Sequence, residues 1–244
     1  MKIKITHNKA FTLIELLLGL AIGAIISLSV YNMFWSSVKL DDRMRRTHDI
    51  YMELLLADQA LSHDLENAIT LDFSANYPDA IVFDGDAQGF SFLTQTPKGI
   101  KHVHYYIGQP GDDPLYKAMI GRVVNPLSSS ENNPNNPPVE FLFRQESNMA
   151  DWLNGTSDQT STQVVAAGIK KDSFDCRYAP FSKELHKNGE TALVYKDSWQ
   201  DAKSLPMAVS CSFVLYDVNN PQANLMFKRD IFLAPVSGYY NEQQ

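Results

Sequence analysis

The sequence predicts an α+β protein, in which a long N-terminal helix spans a membrane with its first half and packs on an antiparallel β-sheet body. Three observations predict this fold class. An apolar run without charged residues extends from Leu16 to Trp35, and apolar residues then recur at helical spacing as far as Ile69. Beyond that point the apolar period changes to the alternation typical of strands. The 244 residues are enough for one globular domain with an appendage.

A short basic segment precedes the apolar run. Residues 1–10 include Lys2, Lys4 and Lys9 and no acidic residue, although the chain as a whole has a net charge of -7. The acidic remainder disfavours nucleic-acid binding, because the phosphate backbone selects for clustered Lys and Arg. The apolar run is longer than the core of a signal peptide, and no Ala-x-Ala pattern followed by a loop comes after it. We therefore predict a basic leader followed by a membrane helix.

The helix is predicted in two halves. A bilayer core needs roughly 20 helical residues at a rise of about 1.5 Å each, so residues 11–35 are predicted to be the transmembrane half. Residues 36–70 are predicted to be an amphipathic half, because their apolar residues share one face and their charges lie on the opposite face. No Pro or Gly occurs between Ala24 and Ile69. A single helix of nearly sixty residues is the simplest interpretation.

Glu15 is an unexpected carboxylate at the start of this apolar run. An ionised acid in lipid costs about 2.5 to 3.5 kcal/mol on insertion scales, so it is retained where something compensates for it. The segment KAFTLIE, Lys9 to Glu15, resembles the processing site of type IV pilins and their relatives. In that superfamily a prepilin peptidase cleaves before an N-methylated Phe, and a Glu is the fifth residue of the mature chain. The resemblance implies cleavage between Ala10 and Phe11, N-methylation of Phe11, and an assembly role for Glu15.

The implied role of Glu15 has a physical basis. Cleavage creates an α-amino group on Phe11, and a carboxylate near a helix N-terminus can neutralise that amine within its own chain or on a neighbouring subunit. One residue departs from the superfamily pattern, since Ala10 stands where Gly is usual, but Ala is small enough for the same role. The alternative for Glu15 is a position at the interface, where its carboxylate reaches the lipid headgroups.

Charge alone does not decide the orientation in the membrane. The leader is basic, but Lys39, Arg43, Arg45 and Arg46 follow the span on its other side. The resemblance implies a single-pass protein of the bacterial inner membrane with a cytoplasmic leader and a periplasmic body. Two cysteines are compatible with that oxidising compartment.

Residues 71–244 are predicted to form one β-rich periplasmic domain. The stretch Asn125–Pro138 is predicted to be a long exposed loop, because it is rich in Asn, Ser and Pro. The predicted strands or half-buried apolar runs are Ala80–Phe83, Phe90–Leu93, Val103–Ile107, Leu115–Ile120, Val139–Arg144, Val164–Ile169, Phe174–Tyr178, Ala192–Tyr195, Met207–Tyr216 and Leu225–Leu233.

Several segments of the body resemble the J-type minor pseudopilins of type II secretion systems, also called general secretion pathway protein J. They are the helix segment Leu54–Ala68, a strand ending in Arg177-Tyr178, a turn with Trp199, the strand Leu205–Val209 and a closing strand ending in Pro235. The resemblance implies a structural subunit and not an enzyme. Its implied partners are the prepilin peptidase, the I-type and K-type minor pseudopilins and the major pseudopilin. With the other minor pseudopilins it would form a tip complex that initiates the pseudopilus and supports protein export across the outer membrane.

Two alternatives of other classes stay open. One is a minor pilin of a true type IV pilus, which would serve priming, adhesion or DNA uptake. The other is a periplasmic binding or enzymatic domain on a pilin-like anchor, and it would require a deep pocket with convergent polar groups.

Possible metal ligands are few. His102 and His104 point to one face of a strand, but no third zinc ligand is apparent nearby. The segment Asp84-Gly85-Asp86 and the pair Asp112-Asp113 offer oxygens to calcium, although Asp-Gly is more often turn chemistry. No hydrolase, metalloprotease or phosphate-loop motif is present. We predict no metal site, no cofactor and no catalytic residues.

Cys176 and Cys211 are predicted to lie on the apolar faces of two strands. If the strands are adjacent, a disulfide would close a long loop and contribute about 3 to 4 kcal/mol on the chain-entropy model. Two buried free thiols are the other arrangement, and the sequence does not decide between them because it does not give strand order.

Overall fold

The computed structural model describes residues 12–71, 73, 75–77, 80–109, 139–156, 160–180, 184–185, 191–201, 204–216 and 224–233. The predicted strand Leu115–Ile120, the predicted loop Asn125–Pro138, the cleavage residues Ala10 and Phe11 and the pair Asp112-Asp113 lie outside the described residues. The chain divides into two compact units, residues 1–48 and 49–244.

The N-terminal helix α1 extends over Leu13–Glu66, which is 54 residues. The prediction of one uninterrupted helix is confirmed, but its end was predicted four residues too late. After Glu66, Asn67 donates its side-chain amide to the carbonyl of His63 at 2.7 Å, and Ala68 forms an antiparallel bridge with Thr94. Pairing with a strand therefore replaces the helical hydrogen bonds of this segment.

In residues 12–48 the helix exposes apolar side chains on all sides. Three serines donate their hydroxyls to carbonyls one turn back, as Ser27 does to Gly23 at 2.8 Å, and this satisfies their polar groups inside the helix. Tyr31 and Trp35 stack with ring centroids 6.5 Å apart. By length and hydropathy this helix is compatible with a single-pass membrane anchor.

The second unit contains the β-sheet and a short helix. Its elements are β1 Phe83–Gly85, β2 Gly89–Thr96, β3 Gly99–Gly108, β4 Val139–Asn148, α2 Met149–Leu153, β5 Ser161–Lys170, β6 Asp175–Ala179, β7 Glu184–Leu185, β8 Thr191–Ala192, β9 Trp199–Asp201, β10 Ala208–Leu215 and β11 Leu225–Phe232. Nine strands form one sheet in the order β11-β10-β5-β4-β3-β2-β1-β9, with β6 paired to β10, and β7 pairs with β8 separately. The described strand pairs are antiparallel, as predicted.

The bounds of the predicted strands differ from those of the observed strands, and two predictions fall mostly outside a strand. The prediction Ala80–Phe83 begins too early, because Ala80 donates its N–H to the carbonyl of Tyr77 and β1 starts only at Phe83. The prediction Ala192–Tyr195 extends too far, since β8 ends at Ala192.

The main core lies between the C-terminal part of α1 and the sheet. Ala57, Leu61 and Leu65 are fully buried, and they belong to one hydrophobic cluster with the aromatic side chains of β1, β2 and β3. In that cluster the rings of Phe83 and Phe92 have centroids 5.8 Å apart. Each large apolar side chain buried in this way contributes about 1.5 to 3 kcal/mol to folding, so the core supports the predicted packing of helix on sheet.

Candidate assembly site

The N-terminus of α1 is capped by reciprocal hydrogen bonds between Thr12 and Glu15. The Thr12 hydroxyl accepts the Glu15 N–H at 3.4 Å, and the Glu15 carboxylate accepts the Thr12 N–H at 3.0 Å and its hydroxyl at 2.9 Å. This is a capping box, which satisfies two orphan N–H groups of the helix. The Thr-x-x-Glu spacing is visible in the sequence, but the prediction had assigned Glu15 to an amine or to the lipid headgroups and not to a cap.

The capping box holds Glu15 close to the predicted processing point. Thr12 follows Phe11 directly in the chain, so cleavage after Ala10 would create the new amino group on the residue next to the cap. The helix dipole favours a carboxylate at this end. Glu15 is therefore already held at the N-terminus of the helix by its own chain.

In the second unit, α1 has one buried and one exposed apolar face. Opposite the face that packs on the sheet, four large apolar side chains are exposed at i, i+4 spacing. They are Tyr51 at 56%, Met52 at 43%, Leu55 at 57% and Leu56 at 57% of their accessible surface. We call these four residues the helix stripe. Contiguous exposed apolar surface of this kind marks protein or membrane contacts.

A buried polar cluster fixes α1 to the sheet. Arg144 on β4 donates Nε to Asp64 Oδ2 at 2.6 Å, and Tyr105 on β3 donates its hydroxyl to the same oxygen at 2.7 Å. The side chains of Asp64 and Arg144 are only 6% and 12% exposed. Burial is the largest cause of the raised pKa of Tyr105, and Asp64 raises it further. The hydrogen bonds to Asp64 and Glu146 raise the pKa of Arg144 despite its burial, so the guanidinium is charged.

The cluster extends along β3 and β4. Arg144 Nη1 donates to Glu146 Oε2 at 2.7 Å, and Lys101 lies 3.7 Å from the other Glu146 oxygen and also donates to Asn148. The buried Thr94 hydroxyl donates to the carbonyl of Asp64 at 3.0 Å. These contacts restrict the rotation of the C-terminal part of α1 on the sheet, because an apolar contact alone would tolerate rotation.

A second carboxylate of α1, that of Glu53, contacts strand β5 of the sheet. The pairing of β4 with β5 has register shifts near Leu142, and the N–H of Ala167 is bonded instead to Glu53 Oε1 at 2.5 Å. Burial raises the pKa of Glu53, and this hydrogen bond opposes the rise. Glu53 thus satisfies a strand N–H that the sheet ladder leaves unpaired.

Cys176 and Cys211 form a disulfide between β6 and β10, where they are register partners. Both cysteines are fully buried. The other side of β6 is also held, because Tyr178 exchanges two backbone hydrogen bonds with Lys196 and donates its hydroxyl to the carbonyl of Asp86 at 2.8 Å. The strand that the disulfide fixes therefore connects β10 to the region of β1.

The N-terminal segment matches a known family model. Residues 5–31 match the prokaryotic N-terminal methylation motif. The matched range includes Ala10, Phe11 and Glu15, and the motif indicates a type IV pilin-like protein, either a pilin or a pseudopilin. The pilin-like family that carries this motif is structural. No curated protein and no solved structure gives a significant match to the chain.

The two histidines of β3 both pack against aromatic rings. His102 stacks on Trp152 of α2 with ring centroids 4.6 Å apart, and His104 lies against Tyr106 at 4.9 Å. Burial lowers the pKa of His102 to about 4, with a smaller effect of His104. Burial also lowers the pKa of His104, against the opposing effect of Asp84 and other groups.

Within the described ranges, no group of three or more His, Cys, Asp or Glu side chains is placed to hold a metal. The Asp86 carboxylate accepts the backbone N–H groups of Gln88 and Gly89 at 2.8 and 3.0 Å. This is turn chemistry, which the Asp-Gly pair also suggested.

Proposed function

We propose that this protein is a minor pseudopilin of a type II secretion system, of the J type, in the tip complex that initiates the pseudopilus. The observation that carries the proposal is the methylation motif at the start of a helix that ends in a fixed contact with a β-sheet. The J-type assignment rests on the resemblance of the body segments, among them Leu205–Val209 and the strand that ends in Arg177-Tyr178.

The proposed route to assembly follows from the helix. Prepilin peptidase removes residues 1–10, and Phe11 is methylated at its new amino group. The anchor stays in the inner membrane while the body folds in the periplasm, where the Cys176–Cys211 disulfide is stable. Glu15 then exchanges part of its contact with Thr12 for the amine of its own or a neighbouring chain, which fixes the register of addition.

In this proposal, the helix stripe is the contact surface for the helices of the I-type and K-type partners. Its four apolar side chains lie outside the core, so their burial would add affinity without disturbing the fold. The buried cluster around Asp64 holds the sheet and the stripe in one orientation, and a subunit that adds to a helical array needs such a fixed geometry.

The test is affinity purification of the full-length chain, in detergent, from its own inner membrane. We expect an I-like and a K-like pseudopilin to co-purify with it. Co-purification with subunits of a true type IV pilus, and with no pseudopilin, would overturn the proposal in favour of a minor pilin.

A matched pair of variants tests the helix stripe. Leu55→Glu introduces a charge into the stripe, whereas Met226→Glu introduces one at an exposed apolar position of β11, away from the stripe. Recovery of the partners should fall about tenfold or more with Leu55→Glu and stay unchanged with Met226→Glu. An equal effect of both variants would exclude the stripe as the specific contact.

A further inference from the structure

An open cleft lies on the face of the sheet opposite the main core. Asp84 on β1 and Ser91 on β2 are register partners that line it, while their neighbours Phe83 and Phe92 point to the other side and are fully buried. The cleft has a volume of about 570 Å³. A smaller cleft of about 240 Å³ adjoins it and shares Asp84 and Ser91. The two form a continuous groove across β1, β2 and β3.

Aromatic surfaces line the larger cleft. Trp152 of α2 is held in place by His102, with the two rings nearly parallel at 8°, and by an edge contact with Phe73 at 6.2 Å. Tyr77 and Ile81, which also line the cleft, are partly exposed at 37% and 36%. The cleft thus presents flat apolar surface on a fixed support, and no rearrangement is needed to form it.

Among the described residues that line the groove, the carboxylates are Asp84 and Asp86. Asp84 is half-buried, and it makes no hydrogen bond or ion pair with the part of the chain that the structure describes. No Lys or Arg is among the described residues that line either cleft. His102 is neutral at neutral pH, because its pKa is about 4. A half-buried carboxylate without a partner is stabilised by an incoming cation.

We propose that this groove binds an arginine side chain carried by an extended segment of a partner polypeptide. A guanidinium is planar and weakly hydrated, so it can form a bidentate contact with Asp84 while it stacks on Trp152 or Tyr77. The cleft volume leaves space for the backbone on both sides of the arginine. Asn76 and Ser91 provide amide and hydroxyl groups for that backbone. Such a contact is separate from the helix stripe and is compatible with a pilus or a pseudopilus.

The test is a binding titration with the full-length protein in detergent micelles. The probe is a fluorescein-labelled peptide with one Arg between two Gly residues, followed by fluorescence anisotropy. Matched peptides carry Lys or the neutral isostere citrulline at the same position. The protein variants are Asp84→Asn, which removes the charge and keeps the shape, and Asp172→Asn, which removes a charge from an exposed turn outside the groove.

We expect saturable binding of the Arg peptide, at least about tenfold weaker binding of the citrulline peptide, and a similar loss with Asp84→Asn but not with Asp172→Asn. The Lys peptide should bind more weakly than the Arg peptide, because an ammonium stacks less well on aromatic rings. Absence of binding, equal binding of the citrulline peptide, or equal losses with the two Asn variants would each overturn the proposal. Near-UV circular dichroism of both variants shows whether the fold is retained.

Discussion

Removal of the Asp64 carboxylate should destabilise the body far more than removal of Asp58, a partly exposed acid on the same helix. In Asp64→Ala, Arg144 loses its 2.6 Å partner while it stays almost fully buried. Breaking a buried ion pair from one side costs about 3 to 5 kcal/mol. Arg144 keeps Glu146 at 2.7 Å, and Tyr105 keeps the carbonyl of Ala60 at 3.2 Å, so we expect the lower end, about 3 kcal/mol.

The assay is urea unfolding of the full-length protein in detergent, followed by near-UV circular dichroism of the aromatic residues in the core. A loss of about 3 kcal/mol should lower the urea midpoint by roughly 1 to 2 M at an unchanged slope. The matched control is Asp58→Ala on the same helix. Asp58 pairs with Arg229 at 3.3 Å, but these side chains are 31% and 57% exposed, so its loss should cost less than about 1 kcal/mol.

A double variant separates the unpaired charge from lost packing. Asp64→Leu with Arg144→Met removes both charges and keeps apolar volume, so it should be more stable than Asp64→Ala. Equal losses for Asp64→Ala and Asp58→Ala would refute the assignment of the cluster as the main polar contact between helix and sheet. A double variant as unstable as Asp64→Ala would refute the role of the unpaired arginine.

Three further predictions concern other parts of the chain. Because the pKa of His102 is lowered to about 4 in the folded state, the unfolded state binds more protons between about pH 4 and 6.5. Stability should therefore fall by up to about 3 kcal/mol as the pH decreases through that window. Urea midpoints against pH should show a shallower fall in His102→Gln, and identical profiles would contradict the buried neutral imidazole. Cys176→Ala should cost about 3 to 4 kcal/mol, because the disulfide closes a sequence separation of 35; equal urea midpoints of the variant and the oxidised wild type would argue against the bond. Glu15→Ala should leave the chain inserted but reduce its recovery in assembled fibres, and normal secretion by this variant in a null background would count against the assembly role.

The sequence predicts the long helix and the antiparallel strands well, because the residue patterns that indicate them are local and periodic. The absence of Pro and Gly in most of α1 and the alternation in strands such as β10 depend only on neighbouring residues. The end of the helix was missed because Ala68 is removed from it by pairing with Thr94, a contact that no local signal contains. Thr12 and Glu15 form a cap that a spacing of three residues does reveal.

The sequence alone supports a prediction of site residues at the N-terminus and none in the body. Ala10, Phe11 and Glu15 belong to one contiguous motif, and the family model matches the segment that contains them. The contact between Asp64 and Arg144 joins residues 80 positions apart, and periodicity carries no information on such a distance. The pairing of Cys176 with Cys211 was also undecidable from the sequence, because it depends on β6 lying beside β10.

In the fibre that we propose, the disulfide would have a mechanical consequence under load. A force that pulls on the chain on both sides of Cys176 and Cys211 is carried by the covalent bond, and the segment between them stays slack. The sequence separation of 35 corresponds to roughly 120 Å of extended chain. While the bond is intact, this part of the chain is not extended by the force. The maximal length of the stretched body is therefore shorter by this amount.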